Sequence, residues 1–481
     1  MILSMPLKTR FMVYTGITLI CLSFLGFFYN WVNIAGFIIF GAGMLILGLY
    51  KRELALYLVF LELCLGSFGY LLSFKVLGFN FSLRMLFFII IMSFWFFDFL
   101  RRKIAYNKGA KRILSGLAVF LVIWLIGILR AHFQGNSWSN IFFDANSYAY
   151  LFLFFPALSY IDTKEKLKAA IKVLLTGAVI MAFKTVVLFI TFVRLDNPDF
   201  LGTLYKWIRD FRIGEITPLK NSGYRIFMQS QIYIIFALLF ISVKHFFKNI
   251  NFQKFLCLGA LSTGAIYLSL SRSLWIGTAV GIFLMFILMF YSKLRYKKIA
   301  LASLRILLVI IIGILIADII SPKGGLKNRF EIGEAATDTR MSQLTVLLPA
   351  VKNNPIFGYG FGKTLTYKSF DPRLGDSLNG VMYTTDAFEW GYLDIVLKIG
   401  VFGLLAYLFF IGSIVWRLFE RLKKVIHEER TEFIYSMWAI SGLGAVLAIH
   451  IFTPYLNHPL GIGMIILAGV VAGIDFEKKT T

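Results

Sequence analysis

Long apolar runs alternate with short polar connectors from one end of this chain to the other. The runs begin near Phe11, Val32, Glu53, Met85, Ile113, Ser147, Ala169, Phe227, Phe255, Ser273, Leu304, Tyr392, Ile434 and Leu460. They are continuous rather than alternating, which reads as helix and not strand. Most approach the ~20 residues needed to cross a hydrocarbon core of roughly 30 Å. In lipid every backbone polar group needs an internal partner, so runs of this kind span as helices. The pattern predicts an all-α fold, a polytopic transmembrane helical bundle of about fourteen spans. It forms one integral membrane domain over residues 1–481. The sixth and fourteenth runs are the shortest, and the first reads as an uncleaved anchor, since it lacks a small-x-small cleavage pattern.

Two polar intervals break this rhythm. In residues 194–226, Leu201, Leu204, Tyr205, Ile208 and Phe211 recur at helical spacing, with Lys206, Arg209 and Arg212 off that face. That is an amphipathic helix suited to a membrane–water interface, where its cations can also simply snorkel to headgroups. The second interval, residues 321–391, is a long loop expected to carry short helices. It holds D-T-R (Asp338 to Arg340), N-N-P-I-F-G-Y-G-F-G (Asn353 to Gly362) and D-A-F-E-W-G-Y-L-D (Asp386 to Asp394). A connection this long is usually functional or disordered; its aromatic residues and helical periodicity argue for structure. Asn-Pro ends a preceding helix. Gly358 and Gly360 supply a turn with positive φ and close backbone approach. No strand precedes and no G-K-S/T follows, so this is not a nucleotide loop.

Composition agrees: 59% of residues are hydrophobic and 15% charged, far from soluble norms. A net charge of +24 would point to nucleic acid in a soluble protein. Here the Lys and Arg residues sit between runs, so nucleic acid is not an expected partner. Lys51-Arg52, the Arg101–Arg112 cluster, Lys164/Lys166/Lys168, Lys244/Lys248/Lys254, Lys293–Lys298, Arg417–Lys424 and Lys478-Lys479 fall on alternate connectors. By the positive-inside rule both termini are cytoplasmic and the long loop lies outside. Cys21, Cys64 and Cys257 fall in separate runs and read as small buried hydrophobes. No metal-ligand spacing and no Gly-x-Ser-x-Gly occurs, so no metal or cofactor is expected.

Candidate chemistry concentrates on the outer side. Arg225, Arg272 and Arg340 stand where the positive-inside rule disfavours them. A guanidinium there suits phosphate or carboxylate, or is a snorkelling or structural charge. Arg272, in the tight S-R-S connector, is expected at the bundle's outer edge with little reach to solvent, and so in need of a partner. Asp386 and Glu389 precede the twelfth run. On a helix they would share a face, as general bases toward a hydroxyl or as an N-terminal cap. Glu62 and Lys184 are intramembrane ionisable residues to which no site role is given.

At these residues the chain resembles the bacterial O-antigen polymerase and O-antigen ligase family (Wzy- and WaaL-like proteins). The matching pieces are S-R-S-L-W at Arg272, D-T-R-x-x-Q-L, N-P-I-F-G-Y-G-F-G, and K-I-G-V-F-G-L-L from Lys398, together covering roughly residues 220–410. The resemblance implies a GT-C-type membrane glycosyltransferase in the bacterial inner membrane. It would use undecaprenyl-pyrophosphate-linked oligosaccharide at the periplasmic face and an acceptor glycan, with a chain-length regulator and a flippase as possible partners. Arg225, Arg272 and Arg340 would bind the pyrophosphate, with Arg340 also in the catalytic set beside Glu389 and Asp386. In the ligases the segment before the late helix typically reads His-Asn-x-Tyr-Leu; here it reads Glu389-Trp390-Gly391-Tyr392-Leu393. That departure, with the span count, favours a polymerase over a ligase. A lipid-linked oligosaccharide flippase is the rival from another class, and a shape–division type peptidoglycan polymerase a further one. A flippase is expected to keep its charges near the midplane and to show repeats.

Overall fold

The computed structural model describes residues 7–76, 78–219, 223–248, 251–291, 296–321, 334–371, 374–375, 379–424 and 431–476. Each apolar run contains a helix. In order these are α1 (Leu7–Phe28), α2 (Asn30–Tyr50), α3 (Arg52–Gly66), α4 (Leu83–Leu100) and α5 (Lys108–Phe133). The sixth run is bent into α6 (Trp138–Ala149) and α7 (Phe154–Tyr160) through a 3-10 turn. Then come α8 (Lys164–Arg194), α9 (Pro198–Asp210), α10 (Ile232–Lys248), α11 (Phe252–Leu268), α12 (Arg272–Tyr291) and α13 (Tyr296–Ile320). The long loop carries α14 (Glu334–Asn353), and α15 (Gly391–Lys424), α16 (Thr431–His450) and α17 (Pro459–Gly473) complete the chain. Helix starts are set locally. The side chains of Ser82, Asn107, Ser137, Thr163 and Asn197 each accept a hydrogen bond from a first-turn backbone N–H, meeting donors that the helix leaves unpaired.

Among the described residues, 11 helical segments are long and apolar enough to cross a membrane, so this is a multi-pass membrane protein. The other three predicted spans are α3, α11 and α17, of 15, 17 and 15 residues. At 1.5 Å per residue they reach only ~22–26 Å. Their neighbours are largely protein rather than lipid: every residue of α17 from Leu460 to Gly473 is buried, as is α3 from Val59 to Gly66. With α10 and α16 they form the centre, where the Trp438 indole donates to the Phe236 carbonyl and the Tyr233 hydroxyl to the Leu460 carbonyl. Around it, α2, α5, α12 and α13 turn Ile39, Leu125, Phe283 and Ile319 outward, as lipid-facing helices do. Cys64 is buried as expected, whereas Cys21 and Cys257 are exposed on helix flanks.

The connectors sort to two ends as the charge pattern requires. At one end Arg52 pairs with Asp98, the Tyr57 hydroxyl donates to the Lys166 carbonyl and Arg417 to the Ala472 carbonyl. At the other, Ser67 meets Ser230, Arg225 meets Ser269 and Thr453 meets Ser273. We call these the basic end and the loop end. Lys293–Arg295 and Lys478-Lys479 lie outside the described residues.

The loop end departs from a purely helical reading. Among the described residues its connectors hold three antiparallel hairpins: β1 (Ser73–Val76) with β2 (Phe79–Ser82), β3 (Glu215–Pro218) with β4 (Tyr224–Phe227), and β5 (Leu365–Ser369) with β6 (Val381–Thr385). The long loop was expected to carry short helices. Among its described residues it has the 20-residue α14 and the β5–β6 hairpin, whose β-branched and aromatic residues suit a pleated, half-buried surface. Residues 322–333, the loop's start, lie outside the described part, as do 220–222 of the 194–226 segment. In that segment α9 is amphipathic as predicted: Leu204, Trp207 and Ile208 are buried, and Lys206 and Arg209 exposed.

Candidate active site

The site is built on two breaks in helical geometry. After α14 stops at Asn354-Pro355, the chain runs to Gly362 with Gly358, Gly360 and Gly362 at φ 64°, 81° and 74°. Opposite, α15 is interrupted at Gly400, with φ 70° and ψ −178°. The two breaks complete each other. Tyr359 N and Gly360 N donate to the Leu397 and Lys398 carbonyls at 2.8 Å each, and Val401 N donates to the Pro355 carbonyl at 2.8 Å. Backbone freed from a helix inside a membrane protein must find such partners. The expected turn and close approach are both present: a Cβ on Gly360 would lie 2.3 Å from Ala131 Cα, and one on Gly358 2.6 Å from the Leu397 carbonyl oxygen. Arg130 Nε donates to the Gly358 carbonyl at 2.6 Å, and Asn136 Nδ2 to the Phe361 carbonyl at 2.9 Å. The glycines therefore seat the loop on α5 and α15.

Beneath this seat lies a buried charge network that the sequence reading missed. Lys398 Nζ contacts Asp144 Oδ1 at 2.6 Å and Asp394 Oδ1 at 2.8 Å, with all three side chains buried. Asp144 Oδ2 accepts from Gly362 N at 2.8 Å, and Asp394 Oδ2 from Asn457 Nδ2 at 2.8 Å. One lysine thus ties α6, the glycine run, α15 and the α16–α17 turn. The Asp394/Lys398 spacing of four residues was visible in the sequence; Asp144 was not. A second buried pair joins Arg84 to Glu62 through two hydrogen bonds, with a third from Arg84 to the Ser67 carbonyl. Glu62 thus has its partner. Lys184 Nζ has none among the described residues beyond the Trp207 ring at 5.5 Å.

Above the seat, Arg340 and Glu389 meet. The Arg340 Nε–H donates to Glu389 Oε2, with both side chains partly exposed. Trp390 Nε1 donates to the Arg340 carbonyl at 2.9 Å, and Glu389 N to Gln343 Oε1 at 3.1 Å. Gln343 Nε2 in turn donates to the Tyr367 hydroxyl at 2.9 Å. Burial pushes the Tyr367 phenol up despite that bond, so it stays protonated and polar. Asp386 and Glu389 do not share a helix face: residues 386–390 are irregular, and α15 begins only at Gly391. Asp386 is instead an electrostatic neighbour of Asp144 and Asp394.

Arg225, on β4, donates through Nε to the Ser269 carbonyl at 3.1 Å, lies 3.9 Å from Glu215 and stands over the Phe227 ring. Ser269 opens the turn that leads into Arg272. Arg272 itself was expected to be confined and paired. It is exposed, and among the described residues it has no hydrogen-bond or ion-pair partner. The tight turn is satisfied by its serines, since Ser273 Oγ bonds both Ser271 and Thr453, and the arginine is left pointing outward. Thr453 follows Phe452, whose ring packs 5.9 Å from that of Trp390. A continuous chain of contacts therefore runs from Arg225 past Arg272 to Trp390 and Arg340.

Residues 257–408 match the family model described as O-antigen ligase. The matched span runs from α11 through the S-R-S turn, α14 and the glycine run to the broken α15. It thus contains Arg272, Arg340, Glu389 and Lys398, and leaves Arg225 outside. The match supports an O-antigen polymerase/ligase-type function and a membrane glycosyltransferase-like enzyme, whose substrates are a lipid-linked oligosaccharide and a glycan acceptor. No curated protein matches the chain.

Proposed function

We propose that this protein is a polysaccharide polymerase. It would transfer glycan from an undecaprenyl-pyrophosphate donor to a sugar hydroxyl of a lipid-linked repeat unit, on the periplasmic face of the inner membrane. What supports the reading is that the segments bearing Arg225, Arg272 and Arg340 are linked at the loop end, from β4 to the S-R-S turn, from that turn to Thr453, and from Phe452 through Trp390 to the Arg340 backbone. A pyrophosphate leaving group needs charge neutralisation as the anomeric bond breaks, and preorganised guanidinium groups supply it without a metal. Arg272 opens α12, where the helix dipole also favours an anion. Among the described residues the Nη donors of Arg340 have no hydrogen-bond partner and would serve the ligand, while Glu389 fixes its Nε side.

Glu389 holds Arg340 through Oε2 and has Oε1 left to accept the proton of the attacking hydroxyl. Attack opposite the pyrophosphate is a single displacement and inverts the anomeric centre. The test is extension of a synthetic polyprenyl-pyrophosphate repeat by purified protein. Wild type should build a ladder; Glu389→Gln should bind donor and build none. A ladder from Glu389→Gln moves the base elsewhere.

The family description favours a second reading, in which the acceptor is lipid A or a protein. Offering a lipid A-type acceptor in the same assay separates the two. Transfer to it, with no ladder, establishes the ligase.

A further inference from the structure

At the basic end, far from the candidate active site along α5 and α15, the surface carries a cavity of about 350 Å³ lined by Arg112, Phe409, Gly412, Ser413, Trp416 and Arg417. We propose that it binds an anionic glycerophospholipid, the phosphodiester between Arg112 and Arg417 and an acyl chain along Gly412 and Phe409.

Three observations carry this. First, the two guanidinium groups are close enough for the charge of Arg112 to act against that of Arg417. Arg112 is exposed, and among the described residues it has no carboxylate partner. Among the described residues Arg417 spends only Nε, on the Ala472 carbonyl at 3.1 Å. Glu420 also acts on Arg417, but its carboxylate accepts a hydrogen bond from the Trp416 indole at 2.8 Å. A bridging anion would relieve two like charges that the fold has placed together. Second, the floor is apolar and runs down the membrane-spanning part of α15. Phe409 to Arg417 cover about 12 Å of helix, and Phe409 and Trp416 are 62% and 65% exposed. A free anion has no use for such a floor; an acyl chain does. Third, among the described residues nothing fills the space at Gly412: a Cβ there would meet no atom within 4 Å. A basic pocket between spans at a headgroup level, with an interfacial tryptophan at its edge, has the chemistry of an anionic-lipid site.

The experiment places the purified full chain in nanodiscs of mixed phosphatidylglycerol and phosphatidylcholine, extracts it gently, and reads retained lipids by native mass spectrometry. Wild type should retain phosphatidylglycerol preferentially. Arg112→Gln, a change at an exposed side chain, should lower that preference about fivefold, the factor expected of one basic residue near a charged lipid surface. Gly412→Leu, which fills open space, should lower it at least as much. Gly43→Leu, at a second open position on α2, should leave it unchanged. Millimolar inorganic phosphate should not displace the lipid. The proposal is overturned by equal retention of the two lipids in wild type. It is also overturned by unchanged preference in both Arg112→Gln and Gly412→Leu, or by displacement with phosphate alone, which would mark a site for the free anion.

Discussion

Arg417 and Arg421 at the basic end and Arg272 at the loop end are held in opposite ways. At the basic end, Arg417 donates to the Ala472 carbonyl and Arg421 to the Val471 and Ile474 carbonyls. The Val471 and Ala472 carbonyls lie in the last turn of α17 and Ile474 caps it, where a helix lacks donors and its dipole attracts a cation. At the loop end, Arg272 sits at the start of α12, the dipole's positive end, exposed and without a partner among the described residues. The buried charges of the loop end resemble the first group, since Lys398 is held by two carboxylates and Arg84 by a carboxylate and a carbonyl. Folding accounts for a saturated charge. Among the described residues no group pairs with Arg272, and that contrast supports the ligand-binding role proposed for it.

The largest expected effect tests the saturated class. Lys398→Met leaves Asp144 and Asp394 facing each other in a buried site, and should destabilise the protein by about 3–5 kcal/mol, the usual cost of breaking a buried pair. Chemical denaturation in detergent measures it. A loss below 1 kcal/mol would mean that the network does not hold the loop on the bundle. Arg272→Ala should do the reverse: a fall of roughly 10²–10³-fold in glycan transfer, with stability changed by no more than about 0.5 kcal/mol. A normal transfer rate in correctly inserted Arg272→Ala would place Arg272 among ordinary surface charges. Gly360→Ala should cost about 1–3 kcal/mol by overpacking against Ala131, read in the same denaturation series, and should reduce transfer through loss of the seat.

The smallest effect is on pH dependence. Burial, and to a lesser degree the Arg84 charge, pushes the His458 imidazole down to about 3. Its Nδ1 accepts from Leu460 N at 3.3 Å as the cap of α17. The unfolded chain protonates this group near 6.5, so below that pH the unfolded state binds the extra proton. Stability is complete above pH ~7 and declines as the pH falls from ~6.5 toward ~3. His458→Asn, which keeps a capping side chain, should flatten that decline.

The sequence made the bundle readable because lipid imposes a local rule: each span must be continuous and apolar, whatever its neighbours are. Even the three short helices were visible. Their burial was not, since it depends on which runs pack together. The loop's turn chemistry was also local, and Gly358 and Gly360 adopt the positive φ expected of them. What failed was anything set by distant partners. Lys398 and Asp394 stood in the quoted motifs without a role, because Asp144 lies some 250 positions away in the chain. Arg272 was given too little room, because its serine neighbours turned out to satisfy the turn themselves. Glu389 reads from the sequence as a general base or a helix cap, and its pairing with Arg340 depends on how α14 docks. The hairpin of β5 and β6 did leave a local trace, in Leu365–Ser369 and Val381–Thr385, which the search for helical spacing passed over.

Two interruptions that would each weaken a membrane protein cancel here. The run from Pro355 to Gly360 acts as a splint across the gap in α15: Leu397 and Lys398 are gripped above it, and Val401 and Phe402 below. Opening that point would require unzipping all four of these links together. The helix therefore changes direction there without becoming a hinge, and the groups mounted on either side keep fixed spacing, as on a jig rather than in a jaw.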